Sequence, residues 1–205
     1  MNIYDRYVLP RMTDLACGGG PVGRQREKVV PRAEGNVLEI GIGTGLNVAY
    51  YDRDKVKKVW GLDPVMGMHR LAKKRVEAAG LDVELVGLPA ERIDMPDAQV
   101  DTVLITFTLC TIGDPVAALR EMRRVLKPDG QLIFCEHGRA PEASVRRWQD
   151  RLTPAWQKVA GGCHLNRDIP ALVEQGGFEA DELHSAYIRG PRPWTYNYWG
   201  VALPA

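Results

Sequence analysis

No stretch of the 205 residues approaches the run of about 18 apolar positions that a membrane-crossing helix needs. The opening Met1-Asn2-Ile3-Tyr4-Asp5-Arg6 carries charges where a secretion signal would need an apolar core. A cytoplasmic chain without an integral membrane segment is therefore expected. An excess of one charge is missing as well. Lys plus Arg total 27 against 26 for Asp plus Glu, so the net charge of +1 offers no global field for nucleic acid or an anionic membrane. Nucleic acid is accordingly not expected as a partner. The four cysteines, Cys17, Cys110, Cys135 and Cys163, lack the paired spacing of a zinc site, so we expect reduced thiols and no metal. The length suits one domain with a full core, and we take residues 1–205 as a single unit.

What is present is organised around Val37-Leu38-Glu39-Ile40-Gly41-Ile42-Gly43-Thr44-Gly45. The apolar residues favour a buried strand, and the alternating glycines permit positive φ and a close approach to a ligand. A strand thus ends at a small-molecule site. Dinucleotide-binding loops place glycine three positions after the second one, and Leu46 stands there. The next apolar run ends in Gly61-Leu62-Asp63, 18 residues past Gly45, near the separation of about 20 expected for a carboxylate that bonds a ribose. These residues read as a nucleoside site without a pyrophosphate cradle.

From Val37 onward the chain resembles the class I methyltransferases that use S-adenosylmethionine. The resemblance implies that Glu39, Gly41, Gly43 and Gly45 build the loop around the methionine and ribose portions, and that Asp63 holds the ribose hydroxyls. In Gly87-Leu88-Pro89-Ala90-Glu91-Arg92-Ile93 it sets Ala90 and Glu91 beside the adenine, although Leu88 replaces an acidic residue common in the family. It also makes Thr106 a candidate contact to the methionine carboxylate. The preface, residues 1–34, becomes a helical lid whose Tyr4 and Tyr7 face the site or staple a helix to the core. Residues 35–205 form the Rossmann-like core.

Alternation of apolar runs with helical periodicity supports that architecture. Strands are expected at Val37–Ile40, Val56–Leu62, Val83–Val86, Val100–Phe107, Gln131–Cys135, Phe178–Ile188 and Trp194–Leu203. Helices are expected at Val22–Val30, where Arg24, Arg26, Glu27 and Lys28 are read as mostly solvated, and at Met66–Ala79, Val116–Leu126, Ala143–Ala160 and Ile169–Gln175. A further helix should start at Leu46–Tyr51, and Lys127-Pro128-Asp129-Gly130 reads as a turn. The result is a doubly wound, mostly parallel seven-stranded α/β sheet with an antiparallel last strand.

The segment after the fourth strand narrows the acceptor. Thr106-Phe107-Thr108-Leu109-Cys110-Thr111-Ile112 lacks the asparagine, proline, proline, tyrosine run of enzymes that methylate nucleobase or amide nitrogen. Phe134-Cys135-Glu136-His137, Trp148-Gln149-Asp150-Arg151-Leu152-Thr153-Pro154-Ala155-Trp156 and Gly162-Cys163-His164-Leu165-Asn166-Arg167 resemble the methyltransferase-like 7 group of thiol S-methyltransferases. That resemblance implies a small, fairly apolar acceptor, a thiol above others. Leu109, Cys110, Trp148 and Trp156 are then candidate pocket walls. A thiol titrates near 8.5 in model compounds, so a base poised near neutrality helps to ionise it, and His137 and His164 are the candidates. Ethanolamine N-methylation of a phospholipid, with peripheral membrane contact, is the alternative acceptor reading. A nucleoside-binding scaffold without turnover is the alternative outside enzymes.

Overall fold

Seven stretches rich in Val, Ile and Leu pair into one sheet in the computed structural model, which describes residues 8–205. The strands are β1 (Gly35–Ile40), β2 (Val56–Leu62), β3 (Val83–Val86), β4 (Val100–Thr106), β5 (Leu126–His137), β6 (Phe178–Tyr187) and β7 (Tyr196–Pro204). They lie in the order β3-β2-β1-β4-β5-β7-β6. The first five run parallel, and β7 is antiparallel to both β5 and β6. The helices are α1 (Leu9–Cys17), α2 (Gly20–Val29), α3 (Met66–Ala79), α4 (Pro115–Val125), α5 (Ala143–Val159), α6 (Ile169–Gln175) and α7 (Arg192–Thr195). No helix among the described residues is long and apolar enough to cross a membrane.

Successive strand residues point to opposite faces, and both faces are covered, which explains the unbroken apolar runs. Leu38, Ile40, Val103, Ile105, Leu132 and Phe134 join one core with α4 and α6. Val37, Leu104, Ile133 and Cys135 join the other with Val29, Val30 and Tyr51. Each large apolar side chain so buried contributes about 1.5–3 kcal/mol. The strand order reverses between β1 and β4, and a crevice opens there beyond the carboxyl ends of the strands.

Four local expectations change. Leu46–Tyr51 makes only a single 3-10 turn, Val48–Tyr50, because Asn47 and Tyr51 turn inward to bond the buried Glu39. Lys127–Gly130 lies within β5 as an excursion: Val100 pairs with Leu126, but Thr102 pairs with Gln131. A Cβ on Gly130 would sit 2.9 Å from the Asp101 carbonyl, so the excursion needs glycine there. The last strand begins at Tyr196 rather than at Trp194, because Arg192–Thr195 forms the short α7. Finally, the buried positions of α5 are Val145, Gln149 and Thr153, and Trp148, a candidate pocket wall, turns outward. Gln149 supplies the reason: its amide accepts from Ala140 N at 3.0 Å and donates to Gly138 O and Pro193 O, satisfying loop backbone that the fold buries.

Candidate active site

The crevice is a cavity of about 370 Å³ whose lining comes from the ends of β1, β2 and β4, the loop after β3, and residues of α1 and α2. Gly41, Gly43 and Gly45 all adopt positive φ, at 68°, 54° and 79°. They do different work. A Cβ on Gly41 would fall 2.2 Å from the Thr108 side chain, and one on Gly45 would lie 3.0 Å from Ala72 Cα of α3. Gly45, which the sequence suggested as a cofactor contact, is not among the lining residues and serves instead to let α3 approach. Around Gly43 the nearest atoms to an added Cβ are 3.7 Å away, so this backbone faces open space in the cavity.

Asp63, 8% exposed, lies across that space. Its two carboxylate oxygens accept from Gly43 N at 3.1 Å and Val65 N at 2.7 Å. Burial raises its pKa, and the two amides oppose the shift. Ala90 and Glu91 line the same cavity, together with Leu88, Met68 and Ile112. The Glu91 carboxylate also accepts from Asp114 N at 3.2 Å, which ties this wall to the start of α4.

A buried polar chain closes the other side. Arg26 donates to Asn47 Oδ1 at 2.8 Å and to Thr106 Oγ1 at 2.7 Å, and Asn47 donates to Glu39 at 2.9 Å and to Thr106 at 3.0 Å. Tyr51 donates to the second oxygen of Glu39 at 2.7 Å, and burial raises the pKa of Glu39. Arg26 was expected to be solvated, yet it is 5% exposed, lines the cavity and lies 5.2 Å from the centre of the Phe107 ring. Its Nε is buried without a hydrogen-bond partner among the described residues. Thr106 therefore anchors Arg26 rather than standing alone before a ligand carboxylate. Phe107 has φ 52°, a left-handed conformation rare for a bulky residue, and it turns Thr108 and Thr111 towards the cavity.

Thr13 and Cys17 of α1 line this end of the cavity. Asp14 accepts from Thr44 Oγ1 at 2.6 Å and from Arg75 Nη1 at 2.7 Å, so one carboxylate ties α1 to the glycine loop and to α3. Tyr4 and Tyr7 lie outside the described residues.

Behind the wall formed by Thr108, Thr111, Ala160 and Gly161 sits a second group of side chains. Cys110 and Cys163 are buried, and the Cys163 sulfur lies 3.2 Å from His137 Nε2. Cys110 Sγ, Cys163 Sγ and a ring nitrogen of His137 all fall within 4.8 Å of one another. Hydrogen bonding from Cys110, and then from His137, pulls the Cys163 pKa far below the usual thiol range, while that of Cys110 rises. Burial works against charge on His137, but the Cys163 thiolate outweighs it and its pKa moves up. Glu136 accepts from Thr108 N and Leu109 N through one oxygen, at 2.7 and 3.0 Å, and burial pushes its pKa up to about 7.

Several candidate residues are not brought to the cavity. His164 is on a loop with Gln157 Nε2 2.6 Å from its ring and does not line the space. His137 meets Cys163 rather than the cavity, and Leu109 and Cys110 lie in the core behind it. Trp148 is 56% exposed on the outer face of α5, because Val145 and Gln149 occupy the inner one. Trp156 is half-buried in an edge-to-face pair with Trp194, ring centres 5.6 Å apart, and also misses the cavity. The residues that the sequence reading passed over are Arg26, Asn47 and Cys163. Arg26 could have been found from helical spacing, since it shares a face with Gly23, Val29 and Val30.

A seven-stranded sheet of this order, with a glycine loop on β1 and a carboxylate ending β2, agrees with a family model described as a methyltransferase domain, which matches residues 38–134. The chain belongs to the class I S-adenosylmethionine-dependent methyltransferases. Among curated relatives, thiol S-methyltransferase TMT1B of Rattus norvegicus is 34% identical over 154 residues, covering 73% of this chain and 62% of the relative. Thiol S-methyltransferase TMT1A of Homo sapiens is 32% identical over 169 residues, covering 80% of this chain and 67% of the relative. The chain thus spans about three fifths to two thirds of the length of these relatives. A solved SAM-dependent methyltransferase of Thermotoga maritima shares the fold with a TM-score of 0.67 at 22% identity, covering 99% of this chain and 98% of that one.

The residues present fit the family's cofactor. Gly43 leaves a cradle that a side chain would fill, and Arg26 offers an unpartnered buried N–H to a carboxylate. Asp63 offers acceptor oxygens for hydroxyls on the opposite side.

Proposed function

We propose that this chain methylates the sulfur of a small, apolar thiol. The bound cofactor would supply an electrophilic methyl group on a sulfonium centre. Asp63 would accept from its ribose hydroxyls, Arg26 would pair with its amino-acid carboxylate, and Leu88, Ala90, Glu91 and Met68 would enclose its adenine. With both ends of that molecule anchored, most of the rate advantage comes from orientation.

The single observation that carries the thiol reading is the group behind the Thr108 and Gly161 wall, where Cys163 Sγ lies 3.2 Å from His137 Nε2 with Cys110 Sγ beside them, a pairing that lowers the Cys163 pKa. An environment built to stabilise a thiolate suits an acceptor that must lose its proton to react. The relatives' activity as thiol S-methyltransferases supports the same acceptor. Of the two candidate histidines, His137 belongs to this group through Cys163, while Gln157 holds His164 away from it.

Labelled cofactor incubated in parallel with a short alkyl thiol and with phosphatidylethanolamine vesicles tests the reading. Methylated thiol and unlabelled lipid are expected. Labelled lipid would replace the thiol with the headgroup amine, and cofactor binding without either product would favour a scaffold.

A further inference from the structure

We propose that Cys110, His137 and Cys163 form a binding site for one thiophilic cation of the zinc type, with two sulfurs and one imidazole nitrogen as ligands and a fourth position left open. Three separate elements deliver these ligands: the loop after β4, the last residue of β5 and the loop after α5. In a tetrahedral zinc centre, bonds of about 2.3 Å to sulfur and about 2.0 Å to nitrogen set the donors roughly 3.5–3.8 Å apart. Here Cys163 Sγ and His137 Nε2 are 3.2 Å apart, and the three donors all lie within 4.8 Å, so displacements of under an ångström at each would complete the centre.

The donor set itself selects the ion. Thiolate and imidazole suit zinc and its soft neighbours, whereas magnesium and calcium require oxygen. The frame is also braced before any ion arrives. Arg167 donates to Leu109 O and, at 2.7 Å, to Ile112 O, and His164 N donates to Cys110 O at 2.9 Å. Glu136 Oε2 and His137 Nδ1 are buried with no hydrogen-bond partner among the described residues.

The site stands apart from the identity of the acceptor. Its use to ionise an acceptor sulfur at the open position rests on the thiol reading, whereas its ability to bind metal does not. Three-ligand zinc centres with an open position are the catalytic kind, and coordination deprotonates a thiol outright.

The test uses the full chain, reduced and stripped of metal, titrated with cobalt(II) as the optical probe and then with zinc. A thiolate-to-cobalt charge-transfer band that saturates at one ion per chain and is displaced by zinc is expected. Cys110→Ser and Cys163→Ser should each weaken zinc at least about tenfold, and Cys135→Ala, buried in the core with Val37 and Ile133, should not. Because either serine variant could fold poorly, alkylation of the unaltered protein is read alongside: zinc should protect Cys110 and Cys163 and leave Cys17 reactive. Absence of the band, its survival in both serine variants, or alkylation indifferent to zinc would each overturn the site. So would a Cys110–Cys163 disulfide as the sole product of the pair, with no metal taken up after reduction. Thiol turnover without zinc binding would sink the site and leave the functional reading, and zinc binding without thiol turnover would do the reverse.

Discussion

Arg26 and Thr106, 80 residues apart in sequence, meet at 2.7 Å, so that a helix preceding the sheet delivers its guanidinium to the tip of β4. Removing that charge should cost a ligand carboxylate one charge-assisted hydrogen bond, about 1.5–3 kcal/mol. Arg26→Gln is expected to weaken S-adenosylmethionine and its demethylated product alike, by calorimetry. Binding of methylthioadenosine, which has no carboxylate, should be unchanged; an equal loss for all three ligands would mean that Arg26 only holds the loop together.

Asp63 makes the complementary prediction. Asp63→Ala should weaken every adenosine-containing ligand, methylthioadenosine included, by about 1–3 kcal/mol, since partners of a buried acceptor are left unpaired. Adenine alone should bind the variant as it binds the parent. Unaltered affinity for the nucleosides would remove Asp63 from the ribose end.

The glycines separate stability from binding. Gly45→Ala would press a methyl against α3, 3.0 Å from Ala72 Cα, and should lower the thermal midpoint while folded protein keeps its cofactor affinity. Gly43→Ala meets nothing closer than 3.7 Å and should cost about 1 kcal/mol in stability through its φ of 54°. Its methyl projects into the cradle, so affinity should fall. Thermal melts and calorimetry on both variants would show whether the two effects divide in this way.

Asp14 supplies a pH dependence. Its hydrogen bond from Arg75, helped by that from Thr44, holds its pKa below the usual 3.8. The folded state therefore binds the proton less readily than the unfolded chain does. The resulting stability is fully present above pH 3.8 and is lost as the pH falls through the lower folded value. Both partners are partly exposed, so the contribution is about 1 kcal/mol or less. Asp14→Asn should melt earlier than the parent at neutral pH and together with it in strong acid; a gap of constant size would assign the loss to packing.

The sheet was legible because its strands are buried on both faces, and an apolar run such as Val100–Ile105 has few other places to go. Glu39, Asp63 and Ala90 were legible as lining residues for a different reason: each sits at, or a few positions beyond, a recognisable strand end. Long-range convergence left no such mark. Cys110 and Cys163 are 53 positions apart, and nothing in their spacing announces that β5 ends between them with His137. The tryptophans of α5, read as pocket walls, misled because a large apolar side chain does not by itself say which helix face packs. Here the buried backbone of Gly138 and Ala140 needed the amide of Gln149, and that need turned Trp148 outward.

The placement of Arg26 on α2 has a consequence for how this architecture can be cut or recombined. The segment matched by the family model, residues 38–134, contains the glycine loop and Asp63, but the guanidinium lies upstream of it and His137 and Cys163 lie downstream. A graft limited to that segment would take Asp63 and Cys110 but leave behind Arg26, His137 and Cys163. Exchange of specificity between relatives must therefore carry the flanks along with the middle.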